Sequence, residues 1–483
     1  MCRILLLSLA SVLIVATPAV AQDALLGVPR SPATPILGAL DDREPCDFGA
    51  LGAPLSLFEA ITRTLCRNPK SRVAWATIKV KAAVVLSDKE AYLPTASGTW
   101  KDSRDEDVTS VTNSPELNTS YLARYRSEGL SLSWVLYDFG HRSAQLESDQ
   151  QLLAAAQANL DADLQLVFLQ AAKDYYDAQA AEASRDAAAQ IEKFAKENEA
   201  AARQRVEHGV AAISDQLQAQ TAYAQAVLNR VKASADFTTK LGALAIDMGI
   251  SPDSHLILSK ADETHINISR DFANSLHDLI EEAKSAHPSV ILAAKELAAA
   301  EAAERAARNQ YYPTISLFGQ GSHSTQPLSP GLGSLPVLGA NRDLTLGLEV
   351  DVPLSDELWK RGQIEQARAQ VEVQRESLND AEQQVAQEVW NSYQALEADT
   401  DSLTVSNIVL KSAEQSFQAT TRRYEGGVGN ILELLSSQSA YANAQQQRIQ
   451  AVSDWRSARL RLAASLGKLG MWAIEMPNKG TQQ

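Results

Sequence analysis

The sequence predicts a mainly α-helical chain with a smaller β part, built as two tandem copies of one unit. Three observations carry this. "RVEHGVAAISDQLQAQTAYA" at 205–224 returns as "RYEGGVGNILELLSSQSAYA" at 423–442, with Arg205, Glu207, Gly209, Val210, Ile213, Gln220 and Tyr223 recurring 218 positions later. Gly and Pro are absent from His141 through His208 and from Gln363 through Glu425, runs of 68 and 63 residues. Each copy also holds stretches in which apolar and polar residues alternate with period two.

In chain order, "MCRILLLSLASVLIVATPAVAQ" has one Arg, a short apolar run and Ala19-Val20-Ala21. This is the pattern of a secretory signal over 1–21. Cys2 precedes the apolar run and is not a lipid-attachment site. No later stretch approaches 18 consecutive apolar residues, so no transmembrane helix is expected. Residues 22–53 form an N-terminal segment holding Cys46. In an exported chain, Cys46 and Cys66 favour a disulfide, with two separate thiols as the alternative.

The first copy spans 54–250 and the second 273–468, with a linker at 251–272 and a tail at 469–483. "NPKSRVAWATIKVKAAVVLSDKEAYLP" (68–94) matches "HPSVILAAKELAAAEAAERAARNQYYP" (287–313) at offset 219, and each predicts a helix closed by proline. Strands follow, over about 94–138 and 313–355. Leu344, Leu346, Leu348, Val350 and Val352 alternate with Thr345, Gly347, Glu349 and Asp351. Leu130, Leu132, Trp134 and Leu136 alternate with Ser131, Ser133 and Tyr137. "TASGTWKDS" is polar and weakly patterned.

Helical hairpins then occupy 140–249 and 360–467. As one helix, 68 residues reach roughly 100 Å. Leu146, Leu153, Leu160 and Val167, like Ile364, Val371, Leu378 and Val385, are spaced by seven. That spacing implies coiled-coil-like neighbours. Gly209 and Gly427 end the long helices, because glycine accepts the left-handed conformation that stops one.

Apolar-out, polar-in strands are what an outer-membrane barrel requires; a soluble β-hairpin packed on helices is the alternative. Four strands cannot close a barrel, and lipid does not tolerate open edges. Three chains would supply twelve strands. The net charge of −15, with no basic cluster, excludes nucleic acid as a partner. HExxH, CxxC, GxSxG and Walker patterns are absent, and the seven His residues lack metal-ligand spacing. "GLGSLPVLG" (331–339) reads as a surface loop. No enzyme, cofactor or metal site is expected.

The turns "VEHGVAAISD" and "YEGGVGNILE", the "YLP" and "YYP" strand starts and "LYDFG" at 136–140 make 54–470 resemble the TolC-like outer-membrane factors of Gram-negative bacteria. "PLSDELWKRG" (353–362) departs from that family's pattern. The resemblance implies a homotrimer, with a twelve-stranded barrel in outer-membrane lipid continuous with a periplasmic α-helical barrel. It implies an exit duct joined through a periplasmic adaptor to an inner-membrane transporter. It also implies adaptor docking at His208, Gly209, Val210, Gly426, Gly427 and Val428, and a periplasmic gate of Asp215, Tyr424 and Glu433. Glu433, tripled by symmetry, would form an anionic constriction, with Ser436 where a second acidic ring is expected. Asp215 and Tyr424 match a latch pair, whereas Gly429 stands in place of a basic latch residue.

The Cys46 and Cys66 pair looks like the type I protein-secretion branch, which works with an ABC transporter. A multidrug efflux channel with an RND-type pump is the second reading. A periplasmic coiled-coil structural or adaptor protein is the reading from another class.

Overall fold

The computed structural model describes residues 46, 48, 54–260, 275–328, 337–353 and 357–469. The signal segment, most of 22–53, residues 261–272 of the linker, the loop at 329–336 and residues 470–483 of the tail lie outside the described residues.

Each copy begins with a short helix that the sequence reading did not anticipate: α1 over Leu57–Arg67 and, in the second copy, Leu276–Ala286. Ser56 and Ser275, 219 positions apart, cap these helices by accepting hydrogen bonds from the amides of Glu59 and Asp278. Asn68 and His287 end them. The same two side chains then accept from the amides of Lys70 (2.9 Å) and Ser289 (3.2 Å), starting the next helices. Those are α2 (Pro69–Glu90) and its counterpart Pro288–Asn309, each of 22 residues with proline at the first position.

Numbered in chain order, the remaining elements are β1 (Thr95–Thr109), β2 (Thr119–Tyr137), α3 (His141–Glu207), α4 (Ile213–Asp247), α5 (Leu276–Ala286), α6 (Pro288–Asn309), β3 (Thr314–Leu328), β4 (Val337–Asp351), α7 (Glu357–Glu425) and α8 (Ile431–Ser465). The copies agree closely in length. Helices α3 and α7 have 67 and 69 residues, and α4 and α8 have 35 each. Helix α4 runs through Gly242, inside the hairpin expected over 140–249. The long helices are full of good helix formers.

Contacts divide the chain into two compact units. One comprises Met1–Lys79, Ala155–Ala294 and Ser377–Gln483; the other comprises Val80–Ala154 and Lys295–Glu376.

The first unit is helical. Ala171, Ala172, Ala178, Ala195 and Ala202 are buried along α3, letting neighbouring backbones come close. Of the residues spaced by seven, Leu160, Val167 and Val385 of this unit are buried and Leu378 is half-buried; in the second unit Val371 is buried and Leu146, Leu153 and Ile364 are half-buried. Leu55, Tyr175, Leu244, Met248 and Leu258 form one apolar cluster, and the Tyr175 hydroxyl donates to the Leu55 carbonyl at 3.0 Å. A disulfide joins Cys46 to Cys66 of α1. The Arg63 guanidinium lies 5.0 Å from the centre of the Phe48 ring.

The second unit contains a four-stranded antiparallel sheet in the order β1-β2-β3-β4. Pairing of β2 with β3 joins the two copies. The register decides what each face carries. Gly98, Leu130, Gly321 and Leu344 lie level on one face, followed by Ala96, Leu132, Gly319 and Leu346, then Trp134, Leu317 and Leu348. The other face carries Ser97, Ser131, Gln320 and Thr345. The apolar face is bare: Leu344 is 87% and Leu346 73% exposed. From Leu344 to Val350 it extends about 20 Å along the strand. The outer edges of β1 and β4 have no strand partner among the described residues.

At the helix-proximal end of the sheet, Tyr137 packs edge-on against Phe139 and Phe139 packs at a tilt against Tyr312, with ring centroids 4.8 and 5.7 Å apart. The Trp134 indole donates to the Tyr92 carbonyl at 2.9 Å. "LYDFG" makes the strand-to-helix turn. Phe139 and Gly140 both take positive φ, and Asp138 accepts from the Arg142 amide and pairs with its side chain.

Two carboxyl pairs stand out within the units. Asp247 on α4 faces Asp174 on α3, and Asp88 on α2 faces Asp149 on α3. Asp247 Oδ2 and Asp88 Oδ2 are buried with no donor facing them, so each becomes satisfied by holding a proton and donating to its neighbour. Burial, reinforced by the neighbouring carboxyl, pushes Asp247 up to about 7 and Asp88 up to about 6, with Lys70 opposing at Asp247. In the second copy Ser392 and Ser465 occupy the positions of Asp174 and Asp247 at offset 218, and both are buried.

These carboxyls ionise near 3.8 when unfolded, so the unfolded chain loses their protons first as pH rises. Their contribution to stability is therefore full below about 4 and declines as pH rises toward 7. Asp247→Asn and Asp88→Asn should each raise the unfolding temperature of the purified protein at pH 8 and leave it unchanged near pH 4. Parallel curves for variant and wild type across that range would show that the pairs are ionised in the folded protein.

Candidate functional site

The two glycine turns in the first unit are the site to which the sequence pointed. Both are Schellman turns with the same bonds. Gly209, at φ +72°, donates from its amide to the Val206 carbonyl at 2.9 Å, and Val210 to Arg205 at 2.9 Å. Gly427, at φ +78°, donates to Tyr424 at 3.0 Å, and Val428 to Arg423 at 3.1 Å. In such turns the apolar residue after the glycine usually packs back onto its own helix. Here Val210 and Val428 are each 75% exposed, and Ile213 and Leu432 are exposed beside them. His208 and Gly426 sit between helix end and turn and are also exposed.

The second turn is tighter. Gly429 donates a further bond to the Arg423 carbonyl at 2.9 Å. A Cβ at 429 would lie 2.7 Å from the Tyr424 amide nitrogen, so the backbone itself admits only glycine there. Asn430 then caps α8 through the Leu432 amide at 3.0 Å.

Arg205, which sequence reasoning missed, ties the turns together. Its guanidinium donates to the Tyr424 carbonyl, which also accepts from Gly427, and, at 3.4 Å, to the carbonyl of Glu425 at the end of α7. It also lies 4.1 Å from the centre of the Tyr424 ring. A cation at a helix C-terminus is favoured by the helix dipole as well. The available signal was the return of Arg205 as Arg423 at offset 218, which was read only as repetition.

Beneath the turns all four long helices meet. Phe194 of α3 packs on Phe417 of α7 at 5.4 Å, and Phe417 stacks on Tyr441 of α8 at 5.6 Å. Ala202 and Ala219 complete the cluster, and Asn198 donates to Gln438 at 2.7 Å.

Of the expected gate residues, Tyr424 is buried. Burial raises its phenol pKa, the Arg205 cation opposes, and the nearby Asp215 charge adds to the rise. Asp215 itself accepts from the Ser214 hydroxyl at 3.3 Å in the first turn of α4. Glu433 is half-exposed and pairs with Arg423 at 2.7 Å. The structure therefore brings Tyr424 and Asp215 within electrostatic reach and gives Glu433 a cation on its own hairpin.

No helix among the described residues is long and apolar enough to cross a membrane. The bare leucine face of the sheet is a surface suited to lipid, and the same chain carries two helical hairpins. That combination is the one expected of an outer-membrane duct. The chain belongs to the outer membrane efflux protein family, whose profile matches residues 60–249 and 279–468.

It is 29% identical over 435 residues to Protein CyaE of Bordetella pertussis, covering 87% of this chain and 86% of that protein. It is 22% identical to outer membrane efflux protein BepC of Brucella suis, over 86% of each. The fold is similar to that of CusC, with a TM-score of 0.73, 17% identity and coverage of 91% of this chain and 98% of that one. It is likewise similar to the open state of the MtrE outer membrane channel of Neisseria gonorrhoeae, with a TM-score of 0.71, 20% identity and coverage of 86% and 89%. The protein is thus an outer-membrane transport duct reaching into the periplasm, and not an enzyme.

Gly209→Ala meets open space and incurs only the left-handed backbone cost, about 1 kcal/mol. Gly429 is not left-handed, but Gly429→Ala collides with backbone, so it should loosen its turn more. Hydrogen exchange should accelerate more at residues 427–429 in the second variant than at 209–210 in the first. Equal acceleration would contradict the steric reading.

Proposed function

We propose that three copies of this chain share one twelve-stranded barrel and form the exit duct of a type I protein-secretion system, docking a periplasmic adaptor that links them to an inner-membrane ABC transporter. One observation carries the trimer: a four-stranded sheet with a bare apolar face has unpaired edges at β1 and β4. Unpaired backbone groups are not tolerated in lipid, and pairing β4 of one copy with β1 of the next satisfies every edge once the ring closes.

Secretion rather than drug efflux draws support from the Cys46–Cys66 bridge, the feature resembling the secretion branch. It also draws support from the higher identity to Protein CyaE than to BepC, which is named an efflux protein. That name favours the second reading, a small-molecule efflux channel working with an RND-type pump.

At the turns, exposed Val210 and Val428 present two equivalent apolar knobs, which suits docking of an adaptor helix hairpin. Glu433 lines the constriction, and its pairing with Arg423 tempers the anionic ring.

A strain lacking this chain should lose one protein from its culture medium at unchanged drug tolerance. Loss of drug tolerance with an unchanged extracellular profile would select the efflux reading. In planar bilayers, trimers carrying Glu433→Gln should lose cation preference, whereas Arg423→Gln should increase it. Unchanged conductance and selectivity in both would remove the ring.

A further inference from the structure

The sheet sorts its charges between its faces. All four arginines of the described strands, Arg104, Arg124, Arg126 and Arg342, project on the leucine side. The opposite side carries Asp105, Asp107, Asp343, Glu349 and Asp351, with Lys101 its one basic residue among the described strands.

The arginines are also confined in height. The continuous leucine band ends at the row Gly98, Leu130, Gly321 and Leu344, with Leu122, level with Glu106, and Val108 farther out on the same face. The next row on that face is Trp100, Glu128, His323 and Arg342. Beyond it Asp102 stands level with Arg126, and then Arg104 with Arg124. Each row lies about 7 Å above the last. Arginine therefore starts one row past the apolar band, at the end of the sheet away from the helices of its unit. With those helices in the periplasm, this end is the outer leaflet.

Asp102 accepts from Arg124 at 2.8 Å and lies 3.6 Å from Arg126. That pairing orients the two guanidinium groups, which stay 69% and 52% exposed. Glu106 and Glu128 are the other acids on this side. Three of the eight strand carboxylates face outward with all four arginines and His323, so the rim is basic where the other face is acidic.

We propose that this arginine collar binds the phosphates of an outer-leaflet glycolipid, clamping the barrel to its lipid. Arginine matches a phosphate with a planar pair of donors. An anionic interface also attracts basic residues placed at its depth. The inference rests on the outer-membrane barrel reading.

The test compares trimers in phosphatidylcholine vesicles alone, or with added phosphatidylglycerol, lipid A or inorganic phosphate. Heat-resistant trimer and lipid retained in native mass spectrometry are the readouts. Lipid A should raise the dissociation temperature and remain bound, phosphatidylglycerol should act more weakly, and free phosphate should have no effect. Arg124→Gln/Arg126→Gln/Arg342→Gln should more than halve the lipid A effect. Arg342→Gln alone, which leaves the Asp102 pairs intact, should reduce it part of the way. A wild-type trimer indifferent to lipid A, or variants that respond like wild type, would overturn the collar and leave the barrel standing. Failure to form any trimer in any vesicle would overturn both.

Discussion

The backbone hydrogen bond at a sheet edge governs this molecule. A soluble four-stranded sheet can leave its outer strands to water. Here one face presents leucine and valine with nothing over it among the described residues, a surface suited to lipid, and lipid would offer the edges no donors or acceptors. In the proposed trimer, neighbouring copies meet both demands, and folding and assembly become one problem.

Duplication answers part of that problem. Each copy supplies two strands, and the β2–β3 pairing makes them one sheet. The same caps recur at Ser56 and Ser275, at Asn68 and His287, and at Gly209 and Gly427. The copies have drifted apart where packing allows. Ser392 and Ser465 stand where the first copy has Asp174 and Asp247, so one hairpin carries an ionisable pair where the other carries two neutral hydroxyls. Near-identical backbones thus hold different electrostatics.

Much of this was legible in the residues. The repeat, the long helices, the turns and the second-copy strands each leave a local signal: an offset, an absence of Gly and Pro, a period of two. What was missed is either short or not local. The short helices α1 and α5 have only 11 residues each and end where Pro69 and Pro288 at once open the next helix, so each leaves little periodic signal of its own. Strand β1 was weak because its outward residues run Gly98, Trp100, Asp102 and Arg104, leaving the membrane band after only a few positions. Arg205 was missed because its contacts lie 219 and 220 residues away. The Arg423 partner of Glu433 was equally invisible, since ten residues and a turn separate them.

Arg205 has a mechanical consequence. By gripping the end of α7 from α3, it holds the two hairpin tips of one chain together. In the trimer proposed above, widening of the mouth would then fall to the seams between copies. The aperture would open like three doors, each hung as a double leaf.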